Sequence, residues 1–160
     1  MRIMGLDLSL VETGIFVLDG DKEVARELIT SKPKEDVPEV QRILSIAERI
    51  FYYITRYRPD KVIIEGLSFG SKNSRSLCTL AKLNFQIEVY CFLDKIPYLI
   101  VPPTTLKKFI TGKGNAKKEI MLMKILKRYG LEFENDNLAD AYGLCRYGES
   151  LTLEVRKNGD

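Results

Sequence analysis

The hydrophobic pattern of the chain changes period about a fifth of the way along. Residues 2–9, 13–19 and 23–29 are apolar-rich segments, the last two separated by the turn residues Asp19-Gly20-Asp21, and they predict three antiparallel strands. After the polar, proline-containing stretch 31–38 the period lengthens. Val37, Val40, Ile43, Leu44, Ala47, Ile50, Phe51, Ile54 and Tyr57 recur at steps of three and four, the spacing of an amphipathic helix over 37–57. Pro59 ends it. Residues 61–65, Lys-Val-Ile-Ile-Glu, then form a short and nearly all-apolar run of the kind buried on both faces of a sheet. A polar loop over 66–73 leads into a helix over about 76–93. Residues 97–101 predict the last strand, broken by Pro102-Pro103, and helices follow near 104–110, 116–129 and 137–147.

Three strands, helix, strand, helix, strand and then helices is an α/β order. The helix-linked strands run parallel by right-handed crossovers, so the expected sheet is five-stranded and mixed: three antiparallel strands, then two parallel, flanked by helices. No repeat or linker divides the pattern. A single domain over 1–148 is expected, with 149–160 as a short C-terminal tail.

Composition narrows the chemistry. The chain has 160 residues, 45% of them hydrophobic and 29% charged, which suits an ordinary globular domain and excludes disorder, collagen and coiled coil. No apolar run reaches the roughly 18 to 20 residues of a membrane span, and the first residues enter strand-like sequence without a signal peptide's apolar stretch. A cytoplasmic protein without membrane association is expected. Cys78, Cys91 and Cys145 are widely spaced and read as reduced core or near-core thiols. Histidine is absent altogether. Imidazole bases, His-ligated metals and HExxH sites are therefore impossible within this chain, and chemistry must run on carboxylates, lysines, hydroxyls or thiols.

Four acids stand in surroundings wrong for solvated charge. Asp7 interrupts an apolar strand, Ile3-Met4-Gly5-Leu6-Asp7-Leu8. Glu65 closes Val62-Ile63-Ile64 at the C-terminal end of its strand, where open α/β sheets place their sites. Asp136 and Asp140, four apart, share one side of a helix beginning around 135–138. Each has a structural explanation of its own: an edge charge, a strand end, or a helix N-cap at Asp136 with Asn137 as rival. Together, carboxylates converging on one sheet end repel one another unless a cation neutralises them. An oxygen-only cluster without histidine fits Mg²⁺ or Mn²⁺ better than zinc. Two such ions about 3.5 to 4 Å apart cleave phosphodiesters without imidazole. A nuclease is the natural chemistry.

The net charge of +3 is modest, yet between Thr104 and Tyr129 eight basic residues face one acid, Glu119. Within this stretch, Thr111-Gly112-Lys113-Gly114-Asn115-Ala116-Lys117-Lys118 reads as a flexible basic loop feeding a helix N-terminus, suited to phosphate but without P-loop spacing. A second polar stretch, Ser68-Phe69-Gly70-Ser71-Lys72-Asn73-Ser74-Arg75, sets an aromatic among basic residues, a mixture used to stack on or wedge between bases.

Taken in order and spacing, Gly5-Leu6-Asp7-Leu8-Ser9-Leu10-Val11-Glu12-Thr13-Gly14, Ile63-Ile64-Glu65, Lys107 with Gly112 to Lys118, and Asp136-Asn137-Leu138-Ala139-Asp140-Ala141 resemble the RuvC-like Holliday junction resolvases over about residues 2–147. The resemblance implies a ribonuclease-H-like fold, a homodimer, and Mg²⁺-dependent paired nicking of four-way DNA junctions. It implies Asp7, Glu65 and Asp140 as metal ligands. Lys107 and Lys118 become lysines facing the phosphate near the site, Lys118 with a catalytic role. Phe69 loosely matches the family's junction-probing loop aromatic. The remaining contacts to DNA would come from Lys72, Arg75, Lys113 and Lys117. The bacterial pattern has an acid three residues before the last Asp, where this chain has Asn137. Asp136 resembles the arrangement of bacteriophage-type members and is assigned as fourth ligand, with Asn137 as a neutral-oxygen alternative.

Three rivals share parts of this pattern. Actin-like and sugar-kinase ATPases also place an Asp on a first strand, but they enclose nucleotide between two large domains. A non-catalytic junction-binding module predicts binding without product. A related nuclease would act on RNA–DNA hybrids or forks.

Overall fold

The computed structural model describes residues 1–33, 35–68 and 74–157, with side chains up to residue 153. Phe69 and Lys72 lie outside the described residues.

Five strands form one mixed sheet in the order β3-β2-β1-β4-β5. β1 (Arg2–Asp7), β2 (Glu12–Asp19) and β3 (Lys22–Thr30) pair antiparallel as the opening pattern predicts, with a register irregularity between Val17 and Leu18. β4 (Lys61–Glu65) pairs parallel with β1 and β5 (Tyr98–Val101) parallel with β4. Both chain crossovers run through helices, α1 (Glu39–Tyr57) into β4 and α2 (Ser74–Leu93) into β5.

Strand alternation divides the core in two. Met4, Leu6, Ile15, Val17, Val62 and Ile64 face α1 and α2, meeting Ile43, Ile46, Ala47, Ile50 and Ile54 of α1 and Leu83, Ile87 and Cys91 of α2. Ile3, Phe16, Leu18 and Ile63 face the other way, toward α3 (Pro103–Thr111), α4 (Lys118–Tyr129) and α5 (Asp136–Lys157). The central strands are thus buried on both faces, as the all-apolar run in β4 requires. Among the described residues no helix is long and apolar enough to cross a membrane.

Several element ends differ from the sequence reading. α1 begins at Glu39 because Pro38 occupies its N-cap position, and Val40 and Leu44 of the apolar series are exposed. α1 stops where Arg58 takes a left-handed conformation just before Pro59. α4 starts at Lys118, two residues after the expected 116, because Lys117 is extended at the N-cap position and Ala116 closes the preceding turn with its N–H on the Lys113 carbonyl at 3.2 Å. That turn is not the open loop its glycines imply. The Thr111 hydroxyl donates to the Lys107 carbonyl at 2.7 Å and accepts the Lys113 N–H at 3.1 Å, which ties it to α3. α5 continues beyond 147, through residues read as a tail, to Lys157. Gly148 lets it pass directly over Ile3 and Ile63, and Arg146 pairs with Glu149 along it. Cys91 and Cys145 are buried, whereas Cys78 is exposed.

Candidate active site

Two adjacent parallel strands deliver the first two acids. Leu6 pairs with Ile64, so the next residues, Asp7 and Glu65, leave the sheet side by side at its C-terminal edge. The third acid comes from α5, and glycine is what allows it in. A Cβ on Gly5 would lie 2.0 Å from the Ala141 carbonyl oxygen, and one on Gly14, the cross-strand partner of Asp7, would lie 2.2 Å from the Asn137 carbonyl oxygen. Only bare backbone at both positions lets α5 rest on β1 and β2, and this contact carries Asp140 to the end of β1. One carboxylate oxygen each from Asp7, Glu65 and Asp140 lies within 4.8 Å of the others.

The cost of this crowding is visible in the protonation of the group. Asp7 is only 6% exposed. Burial first, then the charge of Glu65 and a hydrogen bond shared with it, push Asp7 well above the usual carboxylate range. Burial also raises Glu65, against the lowering effects of its bond to Asp7 and of Lys107 and Lys118. Burial and the Glu65 charge push Asp140 up to about 7. The crowded group therefore favours retaining protons over carrying three full negative charges, unless positive charge replaces them. A site made only of carboxylate oxygens, short of positive charge and open at a sheet edge, fits a hard divalent cation.

The remaining predicted residues distribute around this cluster. Asp136 is the first residue of α5 and is ion-paired with Lys118, the first residue of α4. That pair holds the Asp136 carboxyl below its usual range and the Lys118 ammonium above its own. Asp136 thus answers Lys118, and it stands outside the three-oxygen group. Asn137 turns elsewhere, its side-chain amide donating to Glu12 Oε2 at 3.4 Å. Neither Asp136 nor Asn137 caps α5. Asn135 does so, its Oδ1 accepting the N–H groups of Asn137 at 2.9 Å and Leu138 at 3.3 Å. Lys107 on α3 and Lys118 both favour the charged forms of Glu65 and Asp140. Lys113 and Lys117 are exposed in the turn before α4, and Arg75 is exposed in the first turn of α2.

Sequence reasoning passed over Glu12 and Asn135. Asn135 follows Glu134 and precedes two further polar residues, so a capping signal existed but was shared among neighbours. Nothing local marked Glu12, whose partners lie at the other end of the chain.

A family model described as crossover junction endodeoxyribonuclease RuvC matches residues 3–145. The crossover junction endodeoxyribonuclease RuvC of Brevibacillus brevis is 30% identical over 149 residues, covering 91% of this chain and 89% of that protein. Among solved structures, T. thermophilus RuvC in complex with Holliday junction substrate superposes with a TM-score of 0.77 at 22% identity, covering 91% of this chain and 90% of that one. The Fowlpox virus resolvase, in complex with its substrate Holliday junction DNA, gives a TM-score of 0.60 at 17% identity, covering 94% and 99%.

Proposed function

The chain belongs to the RuvC family of crossover junction endodeoxyribonucleases, and from that premise we propose that it resolves Holliday junctions by paired, Mg²⁺- or Mn²⁺-dependent nicking as a homodimer. The observation that carries this reading is the meeting of Asp7, Glu65 and Asp140 from three separate elements with oxygens within 4.8 Å. Divalent ions, when bound, would supply an activated water for attack on the phosphorus and charge stabilisation for the departing oxygen. Asp7, Glu65 and Asp140 would hold them.

The protein's own groups set the conditions for that chemistry. Around the buried Asp7 and half-buried Glu65, charge interactions are stronger than in water. Lys118, kept fully protonated and oriented by Asp136, stands beside the cluster where a phosphate oxygen gains negative charge, and Lys107 flanks it from α3. Arg75, Lys113 and Lys117 are exposed and suit the phosphate backbone of the junction arms. Phe69 is assigned to the junction contact on its sequence resemblance and Lys72 on the basic character of the same polar stretch.

The dimer assignment draws on α2. Phe85, Phe92 and Leu93 are 66%, 74% and 69% exposed, and Tyr98 and Ile100 of the edge strand β5 add two more exposed apolar side chains. A second copy of the chain is the occupant this surface fits, since paired nicking needs two sites related by symmetry.

The test compares nicking of a labelled four-way junction, a fork, a linear duplex and an RNA–DNA hybrid across a Mg²⁺ titration. Junction cleavage at symmetric positions, absent in EDTA, is expected. Preferential hybrid or fork cleavage points to the related nuclease activities, and binding without product at every metal concentration points to a non-catalytic module.

A further inference from the structure

One carboxylate beside the site takes no part in the acidic cluster and is nevertheless committed on both sides. Glu12 is the first residue of β2. Its backbone is fixed by the turn joining β1 to β2, in which the Glu12 N–H donates to Ser9 Oγ at 3.3 Å and the Thr13 hydroxyl donates to the Ser9 carbonyl at 2.7 Å. Its Oε2 accepts from Asn135 Nδ2 at 3.2 Å and from Asn137 Nδ2 at 3.4 Å. A carboxylate accepts and does not donate, so it dictates which way the Asn135 amide lies. The NH₂ group turns to Glu12, which leaves Oδ1 facing the N–H groups of Asn137 and Leu138 that it caps. With the amide flipped, an NH₂ would confront those N–H donors and the cap would be lost.

We infer that Glu12 is a positioning residue: through Asn135 and Asn137 it fixes the start of α5 over Gly14, and so sets where Asp140 meets Asp7. The contact works by hydrogen bonding. Its charge is not required, because a Gln oxygen accepts from the same two amides. Holding Asn137 against β2 also keeps that amide away from the three carboxylates, and Asp136 is left to pair with Lys118. The inference rests on the reading of Asp7, Glu65 and Asp140 as the cation site, but its first test does not.

That test is hydrogen exchange on the metal-free protein. In Glu12→Ala, the amides of Asn137 and Leu138 are expected to exchange roughly five- to tenfold faster, the scale of a lost N-cap, while core amides of β1 and β4 keep their protection. Glu12→Gln should exchange like the parent. Asn135→Asp should resemble Glu12→Ala, because two carboxylates then face each other. In a Mn²⁺ binding isotherm, Glu12→Ala should lose about 10- to 100-fold in affinity with junction affinity unchanged. Unchanged exchange in Glu12→Ala overturns the inference, as does a Glu12→Gln variant that behaves like Glu12→Ala. If the parent binds no Mn²⁺ while the exchange results hold, the cation reading fails and the placement of α5 by Glu12 stands.

Discussion

Asp7 and Glu65 end neighbouring parallel strands and share a hydrogen bond, an arrangement that two ionised carboxylates cannot hold without a proton or a cation between them. The Asp7→Asn variant removes the charge and keeps the shape. Cleavage of a four-way junction is expected to fall by more than the roughly 10- to 100-fold typical of losing an outer-shell partner, with junction binding retained. Parallel cleavage and gel-shift assays check this, and an active variant contradicts the ligand role.

Metal-free stability should fall as pH rises toward neutrality. Asp140 titrates near 7 in the folded protein against an ordinary 3.8, and Asp7 is also raised, so between these values the folded state holds more protons than the unfolded chain. Stability from these groups is therefore fully present below the ordinary carboxylate range and lost as pH passes through about 7. Urea midpoints in EDTA from pH 5 to 8 measure the slope. Added Mg²⁺ should offset the loss, and Asp7→Asn should flatten it.

Much of this site was legible beforehand, because an acid inside an apolar strand is a local conflict that sequence displays. Asp7 and Glu65 each broke a hydrophobic run, and the spacing from Asp136 to Asp140 put both on one helix. What remained hidden depends on distant contacts. The cap at Asn135 is selected by Glu12, which is remote in the chain. The partner of Asp136 is Lys118, at a helix start that the extended Lys117 sets two residues later than the pattern suggests. The length of α5 depends on Gly148 fitting over Ile3 and Ile63, a packing relation with no periodic signature.

Gly5 and Gly14 make a prediction about packing. A methyl group on either would overlap the α5 backbone, which cannot yield as a side chain does. Gly5→Ala should cost at least about 1 to 3 kcal/mol of stability by overpacking and should displace Asp140. Chemical denaturation together with Mn²⁺ affinity checks both effects. A stable variant with normal metal binding contradicts the tight seating of α5.

Lys118→Ala is expected to slow cleavage and to reduce the salt slope of junction binding by about 1, the signature of one lost phosphate contact. The Asp136 carboxyl, released from its ion pair, should titrate closer to its ordinary range, a change that carboxylate NMR reads directly. An unchanged rate and slope would place Lys118 on an ordinary solvated surface.

Phe85→Asp and Phe92→Asp place charge on the exposed face of α2, outside the acidic site. Sedimentation should show a monomer, with nicks on the two strands no longer paired. An unaltered dimer moves the interface elsewhere.

Anomalous diffraction from a crystal soaked in Mn²⁺ tests the central claim most directly. The account predicts density bridging the carboxylates of Asp7, Glu65 and Asp140, lost in Asp7→Asn. Saturating Mn²⁺ with no anomalous peak among those three side chains would contradict it.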